Sequence, residues 1–316
     1  MLELENYLAS YAGAGFVPAS YEGVILKAGA ANSGVTLWKA TGQNGVIVQL
    51  VEKLSNSEGE KVFHDALECY TIHRGRKWVP DYLGVEKINA NTFRVIQIYA
   101  GPRHVAQLTV SQAKYLGECI ANMVLFPIND GGEWGRGRIT IDMGLVDSFE
   151  TLCSSIDNFC RQKELIKNLN YFKNNFTSYV DIAKKLPLTW ANNDIKADHI
   201  FVESKGQILV IDWGMLAPNF YGADLHHFYV DAKLSGNYSI YDQLFNSYLS
   251  ELNDILNSQI SPHLLEFGII SFAFQQNMLW SIGLPTNMYF FEVVDLILQD
   301  LIQLLDNLHH KEIFED

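Results

Sequence analysis

WANNDIKADHIFVESKGQILVIDWGMLAP, Trp190 to Pro218, sets Asp194 just before one short apolar strand, HIFV, and Asp212 directly after another, ILVI. Ser204, Lys205 and Gly206 supply turn residues between them, so the segment predicts a small β-hairpin. Antiparallel pairing then brings Asp194, His199 and Asp212 towards the same end. A run such as ILVI belongs in the core, and a carboxylate placed at the core's edge needs a partner. A divalent cation suits two or three convergent oxygen or nitrogen donors.

Upstream, the pattern from Val24 to Val51 is strand, turn, strand, turn, strand: VILK, the link AGAANSG, VTLWKA, the turn GQNG and VIVQLV. Asn44-Gly45 is a strong hairpin signal. Ser57 to Tyr70 reads as a helix, and after the Val79-Pro80 break come two more strands, DYLGVEKI and TFRVIQIYA. Five strands and one helix predict a small α+β lobe over residues 1–100, with Gly101-Pro102 as the hinge. Residues 101–316 read as mainly helical. Thr109 to Phe126 opens on the capping-box pattern Thr109-Val110-Ser111-Gln112, and Phe149 to Val180, Asp242 to Asn257, Leu264 to Ile282 and Glu292 to Leu308 read as further helices.

A hydrophobic fraction of 48% with 19% charged residues is ordinary for a folded chain. The first residues carry two glutamates and no basic region, so a secretory signal is not expected and a cytoplasmic location is. Phe267 to Phe291 is the longest uncharged run. Its Gln275, Gln276, Asn277, Pro285 and Asn287 argue for a buried helix and loop instead of a membrane span. Cys69, Cys119, Cys153 and Cys160 show neither a CxxC pair nor zinc spacing and are expected to be reduced thiols. The net charge of −13 argues against a nucleic-acid surface. It is uneven: residues 1–100 hold 9 Lys+Arg against 10 Asp+Glu, and residues 101–316 hold 14 against 26. An acidic second part favours a cationic substrate, or serves only as a solvated surface.

A strand-rich lobe with a glycine-containing loop, then a helical part carrying D-x4-H and a strand-terminal Asp212-Trp213-Gly214, resembles the protein-kinase-like fold. The closest match within it is the aminoglycoside phosphotransferase and choline kinase group. That group's catalytic loop has the form H-G-D-x4-N, and here the loop reads Asn192-Asn193-Asp194-Ile195-Lys196-Ala197-Asp198-His199. The steps from Asp194 to His199 and from Asp194 to Asp212 match the family's spacing. Asp224-Leu225 follows where an Asp-Leu pair is common.

The resemblance implies an α+β bilobal fold and a phosphotransferase with an alcohol group as acceptor, moving the γ-phosphoryl group of ATP or GTP to a small molecule, which the acidic second part favours as cationic. Aminoglycoside-like, macrolide-like and amino-alcohol acceptors all remain open, and neither a nucleic acid nor a membrane is expected as partner. Asp194 would orient the acceptor hydroxyl and take its proton, with Lys196 near the transferred phosphate. Asp212 and His199, which holds the family's asparagine position, would ligate magnesium, with manganese as the alternative. Gly29, Asn32, Ser33 and Gly34 would present backbone amides to phosphates. Gln49 stands where a phosphate-holding lysine is expected. Lys53 lies on the same strand face and would replace it. Glu60 would pair with a lysine, the backbone of Ile98 to Gly101 would meet the nucleobase, and Asp224 would brace the loop.

Read from the residues alone, ordinary alternatives stand beside these roles: a turn-capping Asp194, a structural His199, a hairpin link at residues 29–34, a helix-capping Asp224. His226-His227 is expected to be structural because adjacent histidines on a helix point apart, and Trp134 and Trp280 are expected in the core. Gln49 also motivates a second reading, a catalytically weak nucleotide-binding or regulatory protein with a kinase fold. A protein kinase acting on a partner is less favoured, since no A-P-E-like segment follows.

Overall fold

The computed structural model describes Leu4, Leu8 and residues 16–26, 32–56, 78–90, 92–101, 107–126, 143–159, 163–202, 207–284 and 287–310. In chain order the strands are β1 Pro18–Leu26, β2 Asn32–Gly42, β3 Ile47–Ser55, β4 Tyr82–Asn89, β5 Thr92–Ile98, β6 Leu188–Ala191, β7 Ile200–Val202, β8 Ile208–Val210 and β9 Ala217–Phe220. The helices are α1 Val110–Ala121, α2 Met143–Phe159, α3 Lys163–Lys185, α4 His226–Ser235, α5 Ser239–Leu256, α6 Pro262–Gly283 and α7 Met288–His310. They form two compact units, Met1–Gln107 with Asp194–Leu216, and Leu108–Asn193 with Ala217–Asp316. The first boundary falls after Gln107, where the sequence suggests 100/101, and Asp194–Leu216 groups with the strand-rich residues and not with the helices that flank it.

In the first unit β1 to β5 form one antiparallel sheet in the order β1-β2-β3-β5-β4. The β2–β3 turn forms where Asn44-Gly45 requires it. Gly45 sits at φ 77, and Asn44 Oδ1 accepts from Val46 N at 3.1 Å, geometry that a glycine adopts without a steric penalty. Alternation sorts the strand residues to two faces. Ala40, Val48, Leu50 and Ile96 bury one face against Leu4, Leu8 and Phe16. Glu52 accepts from Trp38 Nε1 at 2.7 Å and from Arg94 Nε at 2.6 Å, so its carboxylate is satisfied. Strand β2 begins earlier than the sequence indicates, at Asn32, with an irregular register between Asn32 and Gly34. β7 and β8 pair antiparallel, Ile200 opposite Val210, as the hairpin reading requires. The helix expected over Ser57 to Tyr70 lies outside the described residues.

The second unit is built on helices. Thr109 closes a capping box at the start of α1: its Oγ1 accepts from Gln112 N at 3.3 Å, and Thr109 N donates to Gln112 Oε1 at 3.0 Å. Phe149 to Val180, expected as one helix, is α2 and α3. The reason is visible in the core, where the Phe149 and Phe176 rings stack at 4.4 Å between centroids. In a single helix those residues would lie about 40 Å apart at 1.5 Å per residue. Phe172, Tyr179 and Phe274 complete this aromatic cluster, and Gln275 Nε2 donates to the buried Tyr179 hydroxyl at 3.1 Å. Burial pushes that hydroxyl up to about 12.

Gly117 lets α1 approach α5 closely, since a Cβ there would meet Ser247 Oγ and Leu244 O. The pair β6–β9 was not anticipated. His226 and His227, at the start of α4, do not diverge: their ring centroids are 4.0 Å apart. His226 is buried, edge-on to Phe272, with Nδ1 2.8 Å from Ala223 O. Among the described residues no helix is long and apolar enough to cross a membrane, and Phe267 to Gly283 lies within α6, most of it buried. Cys119 is buried and Cys153 half-buried; Cys69 and Cys160 lie outside the described residues.

Candidate active site

The β7–β8 hairpin is anchored within the first unit. Val210 N donates to Trp78 O at 2.8 Å and Ile211 N to His199 O at 2.9 Å. Trp213 is fully buried, edge-on to Trp78 with ring centroids 5.2 Å apart, and its indole N–H donates to Val210 O at 3.2 Å. Between these anchors Asp212 turns at φ 63. That left-handed conformation is one the short polar side chain of Asp tolerates better than most. It leaves the carboxylate at the edge of the core, as the ILVI run predicts.

Lys53 Nζ lies 2.6 Å from Asp212 Oδ1. Burial pushes the Asp212 carboxyl up, but the Lys53 ammonium outweighs it through charge and hydrogen bond, and the carboxyl sits below its usual range. Lys53 and Gln49 share a strand face, yet the Gln49 side chain is exposed while Lys53 is buried. The cation that meets the hairpin carboxylate therefore comes from position 53.

Asp194 enters a short 3-10 turn, Ala197–His199, that leads into β7. Lys196 Nζ lies 3.0 and 2.9 Å from the two Asp194 carboxylate oxygens. His199 Nδ1 lies 2.8 Å from the Asp194 backbone carbonyl. A carbonyl can only accept, so Nδ1 carries the proton and Nε2 presents a lone pair. Burial lowers the His199 pKa against the raising influence of Asp194 and Asp212. Nε2 faces Asp212 Oδ2 at 3.8 Å, too far for a hydrogen bond.

Two electron-pair donors, one imidazole nitrogen and one carboxylate oxygen, thus face one another. No group of three or more His, Cys, Asp or Glu among the described residues is arranged to hold a metal ion. Asp212 is of the kind magnesium takes, one or two carboxylates with phosphate and water oxygens completing the shell, whereas an imidazole nitrogen is a donor it takes less readily.

In the second unit, Asp224 holds the backbone just before Asp194. Its Oδ2 accepts from Asn192 N at 3.1 Å and its Oδ1 from Asn193 N at 2.7 Å. Asn193 is itself left-handed, at φ 67. Its side chain bonds to Ala191 O, to Ala217 O and to the amide of Asn219. The sequence reading missed Asn193 and Asn219. The available signal was an asparagine at the residue before a catalytic-type aspartate, a position where the chain must turn.

Asn32 and Gly34 lie on β2, so the proposed phosphate loop is shorter than AGAANSG, and Ser33 lies at the register irregularity. Gly29, Glu60 and Trp134 lie outside the described residues. Ile98 N donates to Asp81 O at 2.8 Å and Tyr99 N to Gln49 O at 3.0 Å. Those two amides are engaged within the unit, and Gly101 stands at φ 122. Trp280 is not in the core: it is 54% exposed and stacks on Phe290 at 6.0 Å, because it sits near the α6 C-terminus on the face turned away from the aromatic cluster.

No family model matches the chain, and no curated protein matches it in sequence. Solved structures do match it along its length. An aminoglycoside phosphotransferase from Alicyclobacillus acidocaldarius superposes with a TM-score of 0.59 at 10% identity, covering 95% of both chains. The chain has the protein-kinase-like fold. A choline kinase from Streptococcus pneumoniae shares this kinase-like fold with a TM-score of 0.52 at 11% identity, covering 96% of this chain and 99% of its own. So does an aminoglycoside 2'-phosphotransferase in its GDP complex, with a TM-score of 0.54 at 12% identity, covering 96% and 98%. The small strand-rich part and the larger helical part expected from the sequence are those of the kinase-like fold.

Proposed function

We propose that the chain is a small-molecule kinase that transfers the γ-phosphoryl group of ATP or GTP to a hydroxyl of a small, cationic acceptor. The observation that carries this reading is the Lys53–Asp212 ion pair, set beside His199 on the hairpin that Asp194 leads into. Phosphoryl transfer depends on positioning and charge neutralisation more than on covalent chemistry, and these residues are suited to both. Asp194 acts as base, accepting the acceptor's hydroxyl proton on a carboxylate oxygen. Lys196, already on that carboxylate, moves to the transferred phosphoryl group as charge develops there. Lys53 binds phosphate oxygens while holding Asp212 ionised. Asp212 Oδ2 and His199 Nε2 would hold a divalent cation, which supplies neutralisation of the phosphate charge when bound. Ala100 and Gly101 offer backbone groups to the nucleobase.

The fold neighbours support this kind of ligand, having been crystallised with ADP and spectinomycin in one case and with GDP and kanamycin in another. The acidic balance of residues 101–316 favours a cationic acceptor of that kind or an amino alcohol. The test is turnover of ATP and GTP against a panel of amino sugars, macrolides and amino alcohols, read by the mass of the acceptor. Phosphorylated acceptor supports the reading. Nucleotide binding without product across the panel overturns it in favour of the second reading, a catalytically weak nucleotide-binding protein, to which the exposed Gln49 points. Acceptor affinity that ignores ionic strength would remove the cationic preference.

A further inference from the structure

Asn193 is 4% exposed and Asn219 is fully buried, and neither takes part in phosphoryl transfer as described. Their amides nevertheless bond to one another and to the neighbouring backbone. Asn219 Nδ2 donates to Asn193 Oδ1 at 2.6 Å. Asn193 Nδ2 donates to Ala191 O at 2.9 Å and to Ala217 O at 3.3 Å. These two carbonyls belong to the last pair of the β6–β9 ladder, Ala191 opposite Ala217. The Asn193 side chain thus continues the ladder one rung beyond its last strand residues. Asn219 Oδ1 accepts in turn from Phe220 N at 2.8 Å, and Asn193 N donates to Asp224 Oδ1 at 2.7 Å.

The purpose of such a network follows from the backbone. Residue 193 stands at φ 67, where a Cβ is unfavourable and glycine is the default occupant. Asparagine tolerates that region better than most residues because its short side chain can hydrogen-bond locally, and here it bonds to Ala191 O and Ala217 O. Buried amides are also costly to leave unmatched, so the pair acts as a unit.

We propose that Asn219 is a positioning residue for the candidate base, holding Asn193 in its left-handed conformation and so fixing the backbone from which Asp194 follows. The Asn193–Asn219 pair does by hydrogen bonding what a glycine at 193 does by lacking a side chain. This inference rests on the reading of Asp194 as base for its kinetic part, but not for its structural part.

The experiment is a double-mutant cycle with Asn219→Ala, Asn193→Gly and both together in the full chain. Thermal melting and the amide resonance of Asp194 in ¹⁵N-labelled protein need no turnover. Asn219→Ala lowers Tm by several degrees and shifts the Asp194 amide, because Asn193 Oδ1 loses its donor. In the double variant the Asp194 amide returns towards its wild-type position, and Tm falls by less than the two single losses added together. The lost Phe220 contact is common to both backgrounds and cancels. Independent, additive losses with no return of the Asp194 resonance overturn the proposal. Should Asn219→Ala prove too unstable to label, Asn219→Ser keeps a small donor in place and is read in the same cycle.

With whichever acceptor the panel identifies, Asn219→Ala lowers kcat by about tenfold with nucleotide KM unchanged, and Asn193→Gly in that background restores most of the loss. An unchanged kcat with a shifted Asp194 resonance overturns the kinetic role. A panel with no product fails the kinase reading, and the melting and resonance cycle still decides whether the lock exists.

Discussion

Lys53 Nζ and Asp212 Oδ1 lie 2.6 Å apart although 159 residues separate them in the chain. Replacing Lys53 by Met removes the charge and keeps the stem, so Asp212 is left half-buried without this ammonium. Stability should fall by about 1–3 kcal/mol, and ATP affinity, measured by calorimetry, by about tenfold or more. Gln49→Lys should leave both nearly unchanged, because that side chain is exposed. A Lys53→Met protein that binds ATP normally would show that another cation serves the phosphates.

Asp194→Asn preserves shape and removes basicity. Turnover should drop by about 10²-fold or more while nucleotide affinity is retained. A well-folded variant with near-normal turnover would reassign Asp194 to a structural role.

His199 gives a pH signature that can be read by melting alone. Its folded pKa is lowered by burial, so between that value and the unfolded value near 6.5 the unfolded chain binds more protons than the folded one. Stability therefore rises with pH through this window and falls as the solution is acidified below about pH 6.5. His199→Asn, which has no proton to gain there, should show a flatter profile. Superimposable wild-type and variant profiles would contradict the assignment.

Metal choice tests the same nitrogen differently. An imidazole nitrogen penalises magnesium, a hard cation that takes oxygen donors, more than it penalises manganese, so manganese should support turnover at least as well as magnesium in the wild type. His199→Asn should shift the preference towards magnesium, and His199→Ala should raise the metal concentration needed for half-maximal rate. Identical metal dependence in all three would leave Asp212 as the sole protein donor.

Gly117→Ala tests the packing of α1 on α5. An added Cβ meets Ser247 Oγ and Leu244 O, and backbone cannot yield as a flexible side chain does. Overpacking of this kind should cost about 1–3 kcal/mol in a denaturant melt. An unaltered midpoint would mean that the two helices can part without loss.

The legible parts of the sequence were those with local causes. The Asn44-Gly45 turn, the Thr109 capping box and the 200–210 hairpin each follow from a few adjacent residues. The juxtaposition of Asp194, His199 and Asp212 followed from that hairpin, and position 53 from strand alternation. What escaped depends on partners distant in sequence. β6 and β9 are four residues each, one of them containing Pro218, and only their pairing makes them strands. The break between α2 and α3 is invisible in periodicity because both helices present aromatics to one cluster. The Asn193–Asn219 bond joins two polar residues that composition alone would place in solvent.

The Val210 to Trp78 hydrogen bond has a consequence for biogenesis. Trp78 is synthesised early, but the strand that covers its carbonyl arrives only after residues 108–193 have been made. The entropy of closing so long a loop grows only slowly with its length, so final stability suffers little. The rate of assembly is what responds to distant pairing. A nascent chain halted before Leu216 leaves the ribosome with its first unit unfinished and Trp78 without its hairpin, so the interval between those two points of translation is when chaperone capture should be greatest.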